Sequence, residues 1–569
     1  MMDQIFFLTR KLFIPLIIIF FSGQAFAAAS VSASQMYPVV SPNGTASSLI
    51  TWSSTNEQMV QIWLSVDNKK EVLFATGVSG QKTYVAIEPG SSYKFTAYRG
   101  TQQTIPIAST IVLGVPVNGG VLATKNNVVR APFNSATSAT IIWKTNNLTN
   151  AQMWVSVNGQ PETLVGTSLS SVHTANWIVP SNDYVFTLYE GVNRSRVLDT
   201  INIYADLAYE VGVNYHSFSS AYNQGNILTQ YHSPSVRSLV KSQLNEMINN
   251  GASIIKFNIW HTSISSSSSQ PGRPHFPLSS QEIFNLNLFA QDVAAIRAND
   301  GRRLKLDLSL GWQGSAGYTH KYDSPSTGLG SSQILGSEFI TRAKQSINSI
   351  VDAVKNVYRP DGRLVVDRIY LEGEVMPAIT SEITNLEAID GKKNQDWFLL
   401  NLYPYFVNRV ISANIEPSLY FLVNNPNENN VFDYAWQDPL YSAHNVKKTM
   451  YSVYRAILFL KTNNLKIPKR IDFSLYPQRV SASYTSMIDK ILDDADVSLQ
   501  HLGAASSYYA AESQYPLSNS DREALGEGFG NNRNPNSRLK GVSFWTTPDG
   551  GGPGVDVGPP FEVEDYWPY

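Results

Sequence analysis

The stretch PSVRSLVKSQLNEMINNGASIIKFNIW, residues 234–260, determines how the C-terminal part of the chain is interpreted. Its first portion is amphipathic, starts with Pro234 and stops at Gly251, as helices often do. The apolar run SIIKFNIW at residues 253–260 then predicts a strand. Another strand pattern, EVGVNYH at residues 210–216, precedes the helix. The stretch therefore completes a strand–helix–strand unit, which is the building block of a parallel sheet.

The same alternation continues along the chain. Strands are predicted at residues 210–216, 253–260, 303–310, 367–374, 417–424, 470–477, 507–512 and 541–547, with amphipathic helical patterns between them. Eight such repeats predict a (β/α)8 barrel, the TIM-barrel fold, over residues 206–569. The segment after the eighth strand is too rich in Gly and Pro for a normal last helix. An open doubly wound sheet is the competing fold.

Residues 28–205 show a different pattern, which is repeated. Residues 49–68 and 140–159 align without a gap at a constant offset, and the match continues downstream. The matched aromatic and glycine pairs are Trp52/Trp143, Trp63/Trp154, Tyr93/Tyr184, Tyr98/Tyr189 and Gly100/Gly191. Alternating apolar and polar residues in short runs predict two β-sandwich domains, at 28–117 and 118–205. The segments GSSYKFTAYRG and SNDYVFTLYEG resemble the tyrosine motif of fibronectin type III and immunoglobulin-like domains.

The first residues and the composition limit the classes of function. Residues 1–27 have a basic start, a short apolar run and a small-residue end, which predicts a secretory signal peptide and a secreted or periplasmic protein. The run is about half of the roughly 20 residues that span a bilayer, so we expect no membrane association after cleavage. The formal net charge of −2 excludes the basic footprint of a nucleic-acid binder. The absence of cysteine excludes disulfides, thiolate metal sites and a cysteine nucleophile.

Active sites of such barrels lie at the C-terminal ends of the strands. The candidate residues at these ends are Asn214, His216, Trp260, Glu372, Glu374, Tyr476, Glu512 and Trp545. Two carboxylates among aromatic side chains suggest cleavage of a glycosidic bond. That reaction needs one protonated carboxylic acid and one ionised carboxylate on opposite sides of the sugar. No metal-ligand motif is visible, and we expect neither a metal nor another cofactor.

The barrel resembles the large clan of retaining glycoside hydrolases that carry one catalytic glutamate after strand four and another after strand seven. Within that clan, it resembles the β-xylosidase and iduronidase-like family. The resemblance implies Glu374 as the general acid/base and Glu512, in AESQYPLSNSDREAL, as the nucleophile. It also implies that Tyr476 contacts the nucleophile and that Trp545 forms the floor of the sugar site.

The sequence departs from the clan at one position. Gly373 stands directly before the acid/base, where the clan usually has an asparagine that holds the 2-hydroxyl of the substrate. Another residue holds that hydroxyl, the substrate lacks it, or the site is degenerate. Glu372 is an alternative to Glu374, because residues two apart lie on the same side of a strand.

Polar residues also alternate within the predicted strands. The side chains expected to face the barrel interior are Lys256, Asn258, Trp260, Lys305, Asp307, Ser309, Tyr370, Glu372 and Glu374. Barrel interiors are normally filled by branched apolar residues, and buried charges need partners. Either a Lys/Asp/Glu network lies beneath the active site and orients Glu374, or the register is shifted by one and these residues face solvent.

Together these features predict a secreted or periplasmic retaining glycosidase whose partner is a polysaccharide or oligosaccharide. The sandwich domains are expected to act as spacers or positioning domains. A catalytically inactive carbohydrate-binding or surface-assembly protein is the alternative, favoured by Gly373. An adhesin built on the sandwiches is a third possibility, and the sequence does not determine the oligomeric state.

Overall fold

The computed structural model describes most of the sandwich region and the framework of the barrel. The described residues are 29–55, 57–103, 105–132, 135–215, 217–219, 222–260, 274–299, 301–311, 337–371, 388–389, 392–393, 399–422, 450–475, 484–499, 502, 507–513, 529 and 538–546. The predicted signal peptide and the segment after the eighth barrel strand lie outside them.

The first sandwich consists of two antiparallel sheets. Its strands are β1 Ala29–Ala33, β2 Val39–Val40, β3 Ala46–Ser54, β4 Val60–Val66, β5 Val72–Thr76, β6 Ser79–Ile87, β7 Ser92–Arg99, β8 Pro106–Leu113 and β9 Val115–Pro116. One sheet has the order β1-β3-β6 and the other β5-β4-β7-β8, while β2 pairs with β9 in parallel. Alternate residues of each strand point into the core, as the period-two pattern predicts.

The second sandwich repeats this topology. Its strands are β10 Gly119–Thr124, β11 Val128–Ala131, β12 Thr137–Asn146, β13 Ala151–Val157, β14 Thr163–Thr167, β15 Ser170–Ile178, β16 Asp183–Glu190 and β17 Arg196–Leu207. The sheet β10-β12-β15 faces the sheet β11-β17-β16-β13-β14. The fold thus confirms two consecutive sandwiches, whereas the boundaries at 117/118 and 205/206 stay predictions.

Matched hydrogen bonds fasten the same loops in both copies. The hydroxyl of Tyr93 accepts from the Glu88 amide at 2.8 Å, and that of Tyr184 accepts from the Val179 amide at 2.9 Å. Tyr93 also donates to the carbonyl of Ala86 at 3.1 Å. These bonds tie a buried tyrosine to the loop before its strand, which is the role the motif predicts.

The C-terminal part of the chain forms a closed barrel of parallel strands. Its strands are β18 Glu210–Tyr215, β21 Ile254–Trp260, β22 Lys305–Gly311, β23 Val366–Tyr370, β26 Glu416–Ser418, β27 Tyr420–Leu422, β28 Ile471–Leu475, β29 Tyr508–Ser513 and β30 Leu539–Thr546. Short hairpins are formed by β19 Ser217–Ser219 with β20 Tyr222–Asn223 and by β24 Ala388–Ile389 with β25 Lys392–Lys393.

The fifth barrel strand is interrupted at Leu419, and its two halves pair with different neighbouring strands. Its first half, β26, pairs with β23, and its second half, β27, pairs with β28. The first and eighth strands, β18 and β30, pair along six positions. Every junction around the ring is therefore hydrogen-bonded, which confirms the barrel and rules out an open doubly wound sheet.

Helices cover the outside of the barrel. They are α1 Gln224–Gln230, α2 Pro234–Asn249, α3 Ser280–Ala295, α4 Ser337–Val354, α5 Tyr403–Ser412, α6 Tyr451–Thr462 and α7 Tyr484–Leu499. Helix α2 begins at Pro234, and Gly251 follows its end with φ +106°, as expected from the sequence. Helix α3 begins with a capping box between Ser279 and Glu282.

The sequence misplaces the end of one helix. The apolar pattern before Pro468 suggests a helix that continues to that proline, but α6 ends at Thr462. Asn464 follows with a left-handed φ of 54°. Asparagine tolerates this conformation better than most residues, so the helix ends before the proline can break it.

The two faces of the barrel strands differ in polarity. Residues such as Ile255, Phe257, Leu306 and Leu308 face outward and pack with the helices in one apolar core. Burying each such side chain contributes about 1.5–3 kcal/mol. The alternate residues Lys256, Asn258, Asp307 and Ser309 face inward and are also buried. This pattern confirms the predicted register and contradicts the alternative of a shift by one residue.

Both sandwiches contact the barrel at the N-terminal ends of its strands. Arg303, just before β22, binds Asp183 of the second sandwich at 2.7 Å. Arg363, before β23, binds Asp206 at 2.8 Å and lies over the Tyr204 ring. The Ile467 amide, before β28, donates to the side chain of Gln102 of the first sandwich at 3.0 Å. These contacts lie at the end of the barrel opposite the expected active site.

Among the helices that the structure describes, none is both long enough and apolar enough to cross a membrane.

The substitution Tyr93→Phe tests the loop tie of the first sandwich. It removes both hydrogen bonds and leaves the Glu88 amide without its partner, so we expect a loss of about 1–3 kcal/mol in the free energy of unfolding of this domain. Scanning calorimetry should show a lower melting temperature for one transition. Tyr358→Phe, at a side chain that is 55% exposed, is the matched control. Equal melting profiles for both variants would contradict the structural role of Tyr93.

Candidate active site

The structure describes half of the predicted site residues, and most of these only in the backbone. Asn214 is described in full, whereas only the backbones of Trp260, Glu512 and Trp545 are described. His216, Glu372, Glu374 and Tyr476 lie outside the described residues. The functional roles assigned to all eight therefore stay predictions.

A β-bulge lies next to Glu512. In the pairing of β28 with β29, Phe473 is opposite Ala510, and the next residue, Ser474, is opposite Glu512. Ala511 is the extra residue. Ser474 comes two positions after Asp472, which lies in the barrel interior, so the shift gives the interior register position to Glu512 instead of Ala511. Bulges are common beside active sites because they re-aim one side chain.

The register also brings two other predicted residues together. Asn214 of β18 is opposite Trp545 of β30. Tyr370 of β23 faces the interior, and the predicted acids follow it two and four positions later. The C-terminal ends of strands four and seven thus both lie at the mouth of the barrel, in different parts of the ring.

Three polar side chains form an arc across the first three barrel strands. The Asn258 Nδ2 donates to the Asn214 Oδ1 at 2.9 Å, and Ser309 is opposite Asn258 in the neighbouring strand. All three side chains are almost completely buried. The Asn214 Nδ2, the Asn258 Oδ1 and the Ser309 Oγ have no hydrogen-bond partner among the described residues. These free polar groups lie on the mouth side of the charged interior.

A charged network lies below this arc. Asp472 accepts from Arg470 at 2.5 Å and from Ser418 at 2.9 Å, and Arg368 is 3.4 Å from it. The hydroxyl of Tyr370 donates to Asp307 at 3.3 Å. All six side chains are buried, so the charged ones among them are screened little by solvent.

Aromatic rings complete the packing of this network. The guanidinium of Arg470 lies 4.0 Å from the ring centroid of Tyr509, and the ammonium of Lys256 lies 5.6 Å from that of Tyr370. The hydroxyls of Tyr509 and Ser543 are 2.9 Å apart. Cation–ring contacts partly compensate for the lost hydration of the two cations.

Two neighbouring carboxyl groups in the interior titrate very differently. Burial, together with the nearby Asp367 carboxylate, raises the pKa of Asp307 to about 7. Burial also opposes the ionisation of Asp367, but Lys305, Arg368 and Arg470 outweigh it and lower its pKa to about 2. Asp307 is thus the carboxyl group of this network that changes its charge near neutral pH.

A second charged cluster joins the barrel floor to the second sandwich. Lys305 binds both Glu210 and Asp206, the latter at 3.1 Å. Burial opposes the ionisation of Asp206, but Lys305 and Arg363 hold its pKa well below its usual range. Together with Arg302, Arg359 and Asp361 these residues line a cleft at the domain junction. Of the charged residues predicted to face the barrel interior, Lys256, Lys305 and Asp307 are buried. Glu372 and Glu374 lie outside the described residues, and an effect of the network on Glu374 stays a prediction.

Sequence reasoning missed the contribution of strand six to this interior. Arg470 and Asp472 sit two positions apart in RIDFSLYP, and Arg368 sits two positions before Tyr370. The signal was present, because charges at alternate positions of an apolar strand mark its interior face in a barrel. Among the described residues, no group of three or more His, Asp or Glu side chains could hold a metal ion.

Comparisons with known proteins find similar architectures only. No family model matches the chain, and no curated protein matches it in sequence. A β-glucuronidase from Lactobacillus rhamnosus is 12% identical with a TM-score of 0.29, over 88% of this chain and 81% of that one. A Ruminococcus gnavus β-glucuronidase in complex with D-glucaro 1,5-lactone is 10% identical with a TM-score of 0.32, over 92% and 87%.

The fibronectin(III)-like modules of Clostridium thermocellum CbhA are 11% identical with a TM-score of 0.13, over 31% of this chain and 94% of theirs. Such low identities and TM-scores do not transfer an activity to this chain.

The raised pKa of Asp307 makes a prediction about stability. The folded state holds a proton on Asp307 that the unfolded chain releases above about pH 4, so this group contributes stability at pH 4–5 that is lost as the pH rises through about 7. We expect the wild type to lose on the order of 2–4 kcal/mol from this group over that range. Asp307→Asn should abolish this part of the pH dependence.

Melting temperatures of both proteins between pH 4.5 and 8 test this expectation. Asp199 of the second sandwich, whose pKa burial raises to about 6, titrates in the same range but contributes equally to both proteins. Parallel curves for the wild type and Asp307→Asn would show that Asp307 is ionised throughout and that our assignment is wrong.

Proposed function

We propose that the barrel is a glycoside hydrolase that cleaves a polysaccharide or oligosaccharide with retention of configuration. Glu512 acts as the nucleophile and Glu374 as the general acid/base, with Glu372 as the alternative to Glu374. The protein acts outside the cytoplasm, after removal of residues 1–27. No cofactor takes part, because both reacting groups are carboxyls.

The observation that carries the proposal is the bulged register of β29. It supports the proposal because the backbone of Glu512 pairs with Ser474, two positions after the interior Asp472, at the C-terminal end of strand seven. A carboxylate at the C-terminal end of a barrel strand lies where catalytic groups of this fold are found.

The charges below the mouth favour the ionised state that a nucleophile needs. This layer contains Lys256, Arg368 and Arg470 together with Asp307, Asp367 and Asp472. In this proposal, the cations of this layer favour the ionised form of the Glu512 carboxyl group.

The acid/base group needs the opposite environment. A general acid must hold its proton near neutral pH, and apolar or aromatic walls raise the pKa of a carboxyl group by removing water. In this proposal Trp545 supplies such a surface as the floor of the sugar site and stacks against the sugar ring, while Tyr476 contacts the nucleophile. The polar atoms of Asn214, Asn258 and Ser309 that have no partner among the described residues lie beneath the site, where they can bind the sugar through ordered water molecules.

Glu512→Gln tests the assignment of the nucleophile. Glutamine keeps the size of the side chain but cannot form the glycosyl–enzyme bond, so we expect turnover to fall on the order of a thousandfold or more. The measurement is release of reducing ends from a panel of polysaccharides and aryl glycosides. Glu246→Gln, at an exposed position of α2, is the matched control and should retain full activity.

Chemical rescue separates a nucleophile from a residue that only supports the site. Azide should restore activity to Glu512→Ala by occupying the vacated space, and the product should be a glycosyl azide of inverted configuration. Normal hydrolysis by Glu512→Gln would refute the proposal. Rescue of Glu374→Ala, but not of Glu372→Ala, would assign the acid/base.

The alternative is a barrel that binds carbohydrate without cleaving it. Gly373, at the position where the related clan has asparagine, favours it. In that case the wild type and Glu512→Gln would bind the same polysaccharides with equal affinity, and neither would release reducing ends.

A further inference from the structure

The outer face of the larger sheet of each sandwich carries the same set of side chains. In the first copy they are Gln61, Trp63, Glu71, Leu73 and Tyr98, and in the second Gln152, Trp154, Glu162, Leu164 and Tyr189. We call each set a platform. Every member of the second set lies at the same offset from its counterpart, so the five residue types are identical between the copies.

On the opposite, buried face of the same strands, Tyr93/Tyr184 and Phe95/Phe186 are identical between the copies, but three other pairs differ. The buried Ile62, Leu64 and Ala97 of the first copy correspond to Met153, Val155 and Leu188 in the second. Core positions normally restrict substitution more than surface positions do. The five platform residues are all retained although three buried positions behind them differ, and these five do not lie in the core, so packing of the core does not account for them.

The geometry of the platforms is also repeated. The Trp63 Nε1 donates to the Gln61 Oε1 at 3.2 Å, and the Trp154 Nε1 donates to the Gln152 Oε1 at 3.1 Å. Each bond fixes the indole ring on its sheet. The tryptophans are only partly buried.

Each platform combines an apolar surface with a hydrogen-bonding edge. Trp63 is directly opposite Leu73, and Trp154 is directly opposite Leu164; these leucines are 50% and 44% exposed. Beside them, Tyr98 donates to Glu71 at 2.9 Å and Tyr189 donates to Glu162 at 3.0 Å.

A third group holds each carboxylate in place. Gln103 donates to Glu71 in the first copy, and Arg194 donates to Glu162 at 2.8 Å in the second. Arg194 also lies 4.5 Å from the ring centroid of Trp154. The carboxylates are thus fixed beside the rings and retain accepting capacity, because an ionised carboxylate has about four lone-pair sites.

We propose that the two platforms are carbohydrate-binding sites that hold a neutral polysaccharide chain. Sugar rings present apolar C–H faces to Trp and Leu, and their hydroxyls donate to the Glu and Gln side chains at the edge. The flat face of a sheet has no end wall, so it admits an internal segment of a polymer.

Charge selects the class of ligand. The first platform carries the carboxylate of Glu71, and the second carries Glu162 neutralised by Arg194. Neither offers a net positive charge, so a polyuronate is disfavoured and an uncharged chain is preferred. Two platforms on one chain convert weak single contacts into stronger combined binding.

Affinity electrophoresis of the full chain tests the inference. The probes are hydroxyethyl cellulose, arabinoxylan and galactomannan as neutral polymers and polygalacturonate as the acidic one. All proteins carry Glu512→Gln, so that a substrate is not degraded during the measurement. Residual hydrolysis by this background would count against the catalytic proposal alone and not against the platforms.

We expect retardation by at least one neutral polymer and none by polygalacturonate. Trp63→Ala or Trp154→Ala should each weaken binding about tenfold, and the double variant more than either. Trp177→Ala, which removes a tryptophan that is 38% exposed on the other sheet of the second sandwich, is the matched control and should bind normally.

A second double variant separates a loss of binding from a loss of the folded structure. Glu71→Gln with Glu162→Gln keeps the shape of both platforms, and we expect it to weaken retardation while the calorimetric transitions stay in place. Unchanged binding by the Trp63→Ala/Trp154→Ala double variant would overturn the inference. So would retardation by polygalacturonate only, or by none of the polymers.

Discussion

The charged interior of the barrel is the constraint on which the rest of the molecule depends. Arg368, Arg470 and Asp472 are buried where most barrels of this type hold branched apolar side chains. Removing one partner of a buried ion pair costs about 3–5 kcal/mol, because the remaining charge stays in a poor solvent. A substitution at one of these charged positions therefore destabilises the protein unless its partner changes as well. Because the ion pairs join side chains of different strands, they also help to hold those strands in register.

This interior also separates the two ends of the barrel. At the N-terminal ends of the strands, Lys305 and Arg363 join the ring to Asp206 of the second sandwich. At the opposite end, the bulge before Glu512 breaks the regular alternation of strand seven. The sandwiches therefore support the floor of the barrel, while the mouth remains available for chemistry.

The sequence predicts the architecture well because the hydrophobic pattern records it directly. The eight strands, the repeated sandwiches and the inward orientation of Lys256 and Asp307 all follow from alternation. The bulge at Ala511 does not, since one extra residue in a strand leaves no local signature. The pairing of Asp183 with Arg303 is similarly hidden, because it joins residues far apart in the sequence. The early end of α6 depends on Asn464, a residue that a pattern of apolar positions passes over.

The central claim is that Glu374 and Glu512 meet across one sugar-sized gap, although they lie far apart in the chain. A crystal structure of the mature protein with a bound sugar analogue measures this most directly, through the distance between the two carboxyl carbons. We expect about 5–5.5 Å, the separation typical of retaining enzymes. A separation well beyond about 10 Å, outside the ranges of both retaining and inverting enzymes, would contradict the account and leave a barrel that binds sugar without cleaving it.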